Sequence, residues 1–298
     1  MQVFLTGATG FVGKHMLKRL LSEGHSMRAL VRDPPKASQI AEAAFAPERV
    51  EFFPGDVAEG TGLDAAMQGS DAIIHLVGII VEKGKNTFDA VHHIGTRNVV
   101  EAAKRNGIKR FIQMSALGAR KDGVAAYQTS KWSGEEEVRH CGIPYCVLRP
   151  SVIFGPGDGF VTQMMQTMRQ APLFRPVPGD GKPKYRPIFI GDVTACFVRA
   201  LTAETATNQT VELGGADELS LNEVLAEIAR CVGVKKPAIH IPLPLMFAGA
   251  AVAQTLLSNP PVTVDQLRML REGSTCDIQA MVRIFGITPR SFQGCGRS

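Results

Sequence analysis

The feature that most constrains this chain is its first turn. Val3-Phe4-Leu5-Thr6 is a short apolar run, Gly7-Ala8-Thr9-Gly10-Phe11-Val12-Gly13 follows at once, and an amphipathic stretch from Phe11 to Leu21 comes next. Such a pattern predicts a strand feeding a helix through a loop with almost no side chains. Gly7 permits the tight turn, Gly10 lacks the Cβ that would hold a pyrophosphate away, and Gly13 lets the helix pack on the strand. The helix start then presents free N–H groups and the positive end of its dipole. The spacing is GxxGxxG, shifted by one residue from the simple dinucleotide pattern GxGxxG. Glycines gather in turns for ordinary reasons, so the position after a first strand and before a helix is what makes this loop a phosphate cradle.

The next hundred residues repeat the theme. Strands are predicted at Ser26 to Val31, Val50 to Phe53, Asp71 to Leu76, Arg110 to Ser115 and Tyr145 to Leu148. Helices are predicted at Gly62 to Gln68, Thr87 to Asn106 and Val124 to His140. Continuous apolar strands alternating with helices describe an α/β fold, a doubly wound parallel sheet covered on both faces. From Pro150 the alternation lapses into Gly155-Pro156-Gly157-Asp158-Gly159, a Met-rich helix from Phe160 to Arg169, and a Pro- and Gly-rich stretch. Residues 1–150 therefore read as a dinucleotide-binding domain, to which a strand at Gln209 to Leu213 returns, and 151–298 mainly as a smaller lobe for substrate or partner. Ser220 and Glu223 form a capping box for a helix ending at Cys231.

Composition excludes some functions. The net charge of +5 is modest and the Lys and Arg are scattered, which argues against nucleic acid. The six cysteines, Cys141, Cys146, Cys196, Cys231, Cys276 and Cys295, show no CxxC pairing, and no signal peptide precedes the first strand. Reduced thiols in the cytoplasm are the expectation. Ile241 to Leu257 is unusually apolar yet holds two prolines and is too short to cross a bilayer. A buried helix of the small lobe is the favoured reading; a peripheral contact with a membrane or a protein complex is the alternative.

Several side chains carry chemistry. An acidic residue at the end of the second strand suits NAD, and a basic one suits the 2′-phosphate of NADP. Arg32 stands there, with Arg28 and Lys36 nearby and Asp33 following, so NADP(H) is favoured over NAD(H). Asp56, after the third strand, is placed to accept a hydrogen bond from an adenine amino group. Ser115 ends the fifth strand, and Tyr127-Gln128-Thr129-Ser130-Lys131 opens the next helix. Tyr127 and Lys131 share one helix face, so a lysine ammonium is expected to stabilise phenolate and lower the tyrosine pKa, with Ser115 polarising the same substrate oxygen. Lys182, Lys184 and Arg186, in the loop Gly179 to Arg186, either face a substrate anion or are simply solvated. His75 and His93 lack partners at metal-ligand spacing, so no metal is expected.

Together these motifs resemble the short-chain dehydrogenase/reductase superfamily, in its extended or atypical branch of NAD-dependent epimerase/dehydratase-like proteins with a Rossmann-type sheet. The matches are TGATGFVG, Gly55-Asp56-Val57, GTRNVVEAAK from Gly95 to Lys104, Ser115, YQTSK and LRPSVIFGPGD from Leu148 to Asp158, about half the chain. Val91-His92 before the Gly-Thr pair, Arg32, and Pro260-Pro261-Val262-Thr263-Val264-Asp265-Gln266-Leu267 make it similar to the subgroup of the dehydrogenase-like accessory subunit of respiratory complex I. The resemblance implies that Gly7, Thr9, Gly10, Phe11, Val12 and Gly13 hold the pyrophosphate, Arg32 the 2′-phosphate, and Asp56 and Val57 the adenine. It further implies that Leu76, Val77 and Gly78 line the nicotinamide ribose, that Tyr127 and Lys131 bond it, and that Pro150, Ser151, Val152 and Ile153 flank the nicotinamide. Tyr127 would be the acid/base, with Ser115 and Lys131 beside it. His92 stands where the family usually has Asn, either as an active-site replacement or as a helix residue packed on the sheet.

Three functions compete. One is an NADP(H)-dependent oxidoreductase acting on a carbonyl or quinone-like acceptor. Another is a non-catalytic nucleotide-binding accessory or assembly protein, cytoplasmic or membrane-peripheral. The third, a nucleotide-sugar epimerase or dehydratase, is weakened because Ala116-Leu117-Gly118 replaces the Ser-rich tract after the fifth strand.

Overall fold

A computed structural model of the chain describes residues 1–35, 37, 47–171, 173–257 and 260–293; Lys36 and Cys295 lie outside the described residues. Seven parallel strands form the central sheet in the order β11-β6-β5-β4-β1-β2-β3. They are β1 (Gln2–Thr6), β2 (Ser26–Val31), β3 (Val50–Pro54), β4 (Ala72–His75), β5 (Arg110–Met114), β6 (Tyr145–Pro150) and β11 (Gln209–Leu213). Alternate side chains of β1 enter opposite cores: Val3 and Leu5 on one face, Phe4 on the other. Each strand interior is therefore apolar without a break, because neither face meets water.

One face is covered by α1 (Phe11–Ser22), α6 (Ile190–Ala200) and α10 (Gln279–Phe285), the other by α2 (Leu63–Met67), α3 (Gly95–Arg105) and α4 (Ala126–Arg139). The predicted helix from Thr87 to Asn106 is two structures in series, a π-helical stretch Asp89–Ile94 running straight into α3. Between β6 and β11 lie β7 (Ile153–Phe154), α5 (Phe160–Gln170), β8 (Arg175–Pro178), β9 (Lys184–Tyr185), β10 (Ile188–Phe189) and α6. At the start of β5, Arg110 donates to Ala200 O at 3.0 Å, Ala203 O at 3.1 Å and Thr207 Oγ1 at 2.6 Å, holding the turn that feeds β11.

After β11 come β12 (Leu219–Ser220), α7 (Leu221–Cys231), β13 (Ala238–Ile241), α8 (Leu243–Leu256) and α9 (Val264–Glu272). α7 begins in the expected capping box, with Glu223 N donating to Ser220 Oγ. Its apolar side, Leu221, Val224, Leu225 and Ile228, packs with Phe154, Val161 and Phe292 into a separate core for the small lobe. The favoured reading of Ile241 to Leu257 as a buried helix is wrong: within α8 only Ala250 is buried. An apolar composition argues for burial, but the lobe covers one side of this helix and leaves the rest in the open. Among the described residues no helix is long and apolar enough to cross a membrane.

Candidate active site

The carboxyl ends of β1, β4 and β5 meet where the strand order reverses, the position at which open α/β sheets bind ligands. Gly7 adopts φ +75, and a Cβ there would lie 3.2 Å from Leu76 and Val77, so the loops after β1 and β4 touch. At Gly13 a Cβ would sit 2.0 Å from Gly7 O, so only glycine lets α1 begin this close to the strand. Gly10 is the N-cap of α1 and supplies no side-chain cap, leaving the first-turn N–H groups for an acceptor from outside the helix. Thr9 and Gly10 are exposed at the lip, Phe11 is half-buried and Val12 points into the core.

Around the other half of the cradle, Asp56 Oδ1 accepts from Ala58 N at 2.8 Å and Val57 is buried. Asn98, inside the GTRN run, donates to Val57 O at 2.9 Å and pins that loop to α3, a role that nothing in its local spacing announces. Arg32 is exposed at the end of β2. Arg28 is not available to help it. Its guanidinium donates to Ala65 O and Ala66 O at the end of α2, pairs with Glu51 at 2.9 Å and lies 4.2 Å over the Phe53 ring. In the basic loop Arg186 pairs with Glu218 at 3.4 Å, while Lys184 and Lys182 are exposed and lie 4.0 and 3.7 Å from Glu223 and Asp180.

Lys131 is 4% exposed, and its Nζ donates to Met114 O at 2.8 Å. Burial lowers its pKa to about 8, with the carboxylate of Glu135 one turn on pulling the other way. Tyr127 is half-buried, and burial pushes its phenol up to about 12. The expectation that Lys131 lowers the tyrosine pKa is thus overturned, because desolvation governs the phenol. Ser115 is 2% exposed, and its Oγ has no hydrogen-bond partner among the described residues. A buried hydroxyl left open in this way suits a ligand oxygen. Ser151 turns away from the site, donating to Ser274 O at 2.8 Å, while Pro150 is buried and Val152 and Ile153 are half-buried beside it.

His92 belongs to the site. The Ile79 N–H donates to its Nε2 at 2.9 Å, which makes Nε2 the bare nitrogen and Nδ1 the protonated one. Nδ1–H then donates to Ser130 Oγ at 2.9 Å, and Ser130 Oγ–H to Tyr127 O at 2.9 Å. Its ring meets Tyr127 edge-on at 5.4 Å and stacks on Phe88 at 5.6 Å. A Cβ on Gly78 would lie 3.4 Å from both His92 Nε2 and Lys131 Nζ, so the bare backbone there leaves the two side chains facing the cradle.

A second relay lies behind it. Leu76 N–H donates to Thr6 Oγ1, Thr6 Oγ1–H to His75 Nδ1 at 2.7 Å, His75 Nε2–H to Thr96 Oγ1 at 3.1 Å, and Thr96 Oγ1–H to His92 O at 2.7 Å. Burial, with Lys131 nearby, lowers His92 to about 2 and His75 to about 3, so both stay neutral. Gly134 makes room for the relay, since a Cβ there would sit 2.3 Å from His92 O. Among the described residues no group of three His, Cys, Asp or Glu side chains is arranged to hold a metal.

Residues 3–214 match the model of the NAD dependent epimerase/dehydratase family. The chain belongs to that family. It is 32% identical over 263 residues to a ceramide reductase of Caulobacter vibrioides, covering 87% of this chain and 80% of that protein. It is also 28% identical over 261 residues to the mitochondrial NADH dehydrogenase (ubiquinone) 1 alpha subcomplex subunit 9 of Arabidopsis thaliana, covering 86% of this chain and 64% of that protein. The resemblance to a complex I subunit is therefore borne out at the level of the whole sequence. Among solved structures, UDP-glucuronic acid 4-epimerase from Bacillus cereus in complex with UDP-glucuronic acid and NAD aligns with a TM-score of 0.74 over 98% of this chain and 95% of that one. At 19% identity that match speaks for the fold. Members of the epimerase/dehydratase family are nucleotide-dependent, and the uncapped α1 start with glycines at 7, 10 and 13 fits a dinucleotide.

Proposed function

We propose that this member of the family is an NADP(H)-dependent oxidoreductase that reduces a carbonyl or quinone-like acceptor, with Tyr127 as acid. The observation that carries the reading is the grouping of a half-buried Tyr127, a buried Lys131 and an unpartnered Ser115 Oγ at the carboxyl edge of the sheet. Gly7, Thr9, Gly10, Phe11, Val12 and Gly13 would hold the pyrophosphate, Asp56 and Val57 the adenine, and Leu76, Val77, Gly78 and Lys131 the nicotinamide ribose. Pro150, Val152 and Ile153 would flank the ring. Ser151, tied to Ser274, would help through its backbone alone. Arg32 would meet the 2′-phosphate. When bound, the dinucleotide supplies hydride.

The chain's own residues supply the proton and the field. A phenol raised to about 12 by burial is protonated at neutral pH, so Tyr127 holds a proton that an alkoxide-like oxygen is basic enough to take. Ser115 donates to the same oxygen as charge develops.

The similarity to the complex I subunit favours a second reading, a nucleotide-binding accessory protein without turnover. A nucleotide-sugar epimerase is third, since the basic side chains at 182, 184 and 186 are paired with acids. The test is fluorescence titration with NADPH and NADH, then mixing bound NADPH with short-chain quinones and small ketones. Tyr127→Phe should keep dinucleotide binding and lower turnover by about 10²–10⁴-fold. Tight binding with no acceptor in a broad panel would instead select the accessory reading.

A further inference from the structure

The helix that carries Tyr127 begins without a cap of its own. Its N-cap is Ala125, which has no side-chain acceptor to offer the first-turn N–H groups, and Tyr127 sits in that turn. The acceptor comes from the small lobe instead. Ala126 N donates to Asp265 Oδ2 on α9 at 3.0 Å, across 139 positions of sequence, and Arg268 Nη1 holds the other carboxylate oxygen at 3.1 Å. A carboxylate at that end of α4 also meets the positive pole of the helix.

A second contact follows two turns along α9. Glu272 accepts from Gln128 Nε2 at 2.7 Å with one oxygen and pairs with Arg120 at 2.6 Å with the other. Gln128 is 4% exposed, and its Oε1 accepts from Ala125 N at 3.3 Å, so the amide joins the cap residue to α9. Gly118 and Gly123 leave room for it, since a Cβ on either would lie 2.5 Å from Gln128 Nε2 or 2.7 Å from Gln128 Cβ.

The tract from Pro260 to Leu267 builds the helix that makes these contacts. Thr263 caps α9, with Gln266 N donating to Thr263 Oγ1 at 3.1 Å, and Leu267 is fully buried. Val264 N donates to Gln254 Oε1 on α8 at 2.8 Å, and Pro261 O accepts from Gln163 Nε2 on α5 at 2.8 Å. The far end of α9 is tied to the opposite wall of the site. Tyr185 Oη donates to Leu270 O at 2.5 Å, and Ser274 O, just past the helix, accepts from Ser151 Oγ beside Pro150. α9 therefore reaches from the turn bearing Tyr127 to the segment after β6. A first turn without a cap frays, so the place of the phenol follows α9.

With Tyr127 as the acid of the reaction proposed for this chain, we propose that Asp265 and Glu272 are positioning residues. Through them α9 clamps the first turn of α4 and fixes where the phenol stands against the dinucleotide.

The test is hydrogen exchange of the full chain read by mass spectrometry, with steady-state NADPH oxidation beside it. D265A and E272A should each speed exchange of amides 126–131 about fivefold and leave β1 and β11 unchanged. D265N keeps an oxygen for Ala126 N and should stay within about twofold of the wild type. With an acceptor that the wild type reduces, D265A should lower kcat about tenfold to a hundredfold while the KM for NADPH moves less than about twofold, and D265N should recover most of the kcat. Unchanged exchange at 126–131 in D265A, equal acceleration in D265N, or acceleration spread over the whole chain overturns the proposal. So does an unchanged kcat in D265A. If the wild type binds NADPH but oxidises it with no acceptor, the oxidoreductase reading fails, and the exchange rates alone decide whether α9 holds the turn.

Discussion

Replacing His92 by leucine tests whether this histidine is a neutral linchpin between two loops. Leucine leaves the Ile79 N–H without its acceptor and removes the bond to Ser130 Oγ, which still has Tyr127 O to donate to. One abandoned part-buried donor costs about 1–3 kcal/mol and one lost neutral bond about 1 kcal/mol, partly offset by the apolar gain, so a net loss of about 2 kcal/mol is expected at pH 7.5. His92→Gln, whose side-chain oxygen reaches the place of Nε2, should recover about half.

The pH dependence sharpens the test. His92 titrates near 6.5 when unfolded and is held down to about 2 when folded. Below 6.5 the unfolded chain binds the proton that the folded one refuses, so the native protein loses stability as pH falls from 6.5 toward 2. At pH 5 the loss is about 2 kcal/mol for this one group. Leucine carries no such penalty, so the gap between variant and wild type should close to near zero at pH 5. Urea unfolding followed through Trp132 fluorescence at the two pH values measures it. An equal gap at both would show that His92 titrates normally in the folded chain and refute the reasoning.

Gly13→Ala places a methyl 2.0 Å from Gly7 O, so it should cost about 1–3 kcal/mol in thermal unfolding and abolish dinucleotide binding in the titration. Glu135→Gln breaks a fully buried carboxylate from Arg149, whose guanidinium meets it at 2.8 and 2.7 Å, and from Arg139; a loss of about 3–5 kcal/mol in urea is expected. Arg32→Ala should raise the Kd for NADPH about tenfold to a hundredfold while leaving NADH unchanged. Equal losses for both cofactors would remove Arg32 from the 2′-phosphate.

The sheet was legible because its strands are buried on both faces: runs such as Val3-Phe4-Leu5 and Ala72-Ile73-Ile74 need no alternation to be recognised. The short strands of the small lobe were not, although its helices at 160–170 and 221–231 were, since strands of two residues such as Ile153–Phe154 and Lys184–Tyr185 carry no period at all. The glycine loop and YQTSK could be read because their meaning lies in local spacing. Thr6, Thr96 and Ser130 could not, because each works by bonding a histidine, and Thr6 is 69 positions from His75. Arg28 misled for the converse reason: a basic residue near a phosphate site is informative only until the carbonyls of Ala65 and Ala66 claim it. α8 misled because hydropathy records what a side chain prefers, not what the fold leaves beside it.

The place of β11 bears on how the chain is made. Six of the seven strands are complete at Pro150, but the partner of β6 ends at Leu213, and α6, which shields α1, arrives only with Ile190–Ala200. While a ribosome is still translating the intervening segment, β6 is an open edge and Arg110 lacks the carbonyls at 200 and 203 that it will later hold. The nascent chain thus carries a sticky strand margin and an uncovered helix for some sixty residues of synthesis (150 to 213). Slow decoding across that interval lengthens the exposure, and a chain released early, near residue 150, would aggregate rather than leave a working nucleotide-binding half.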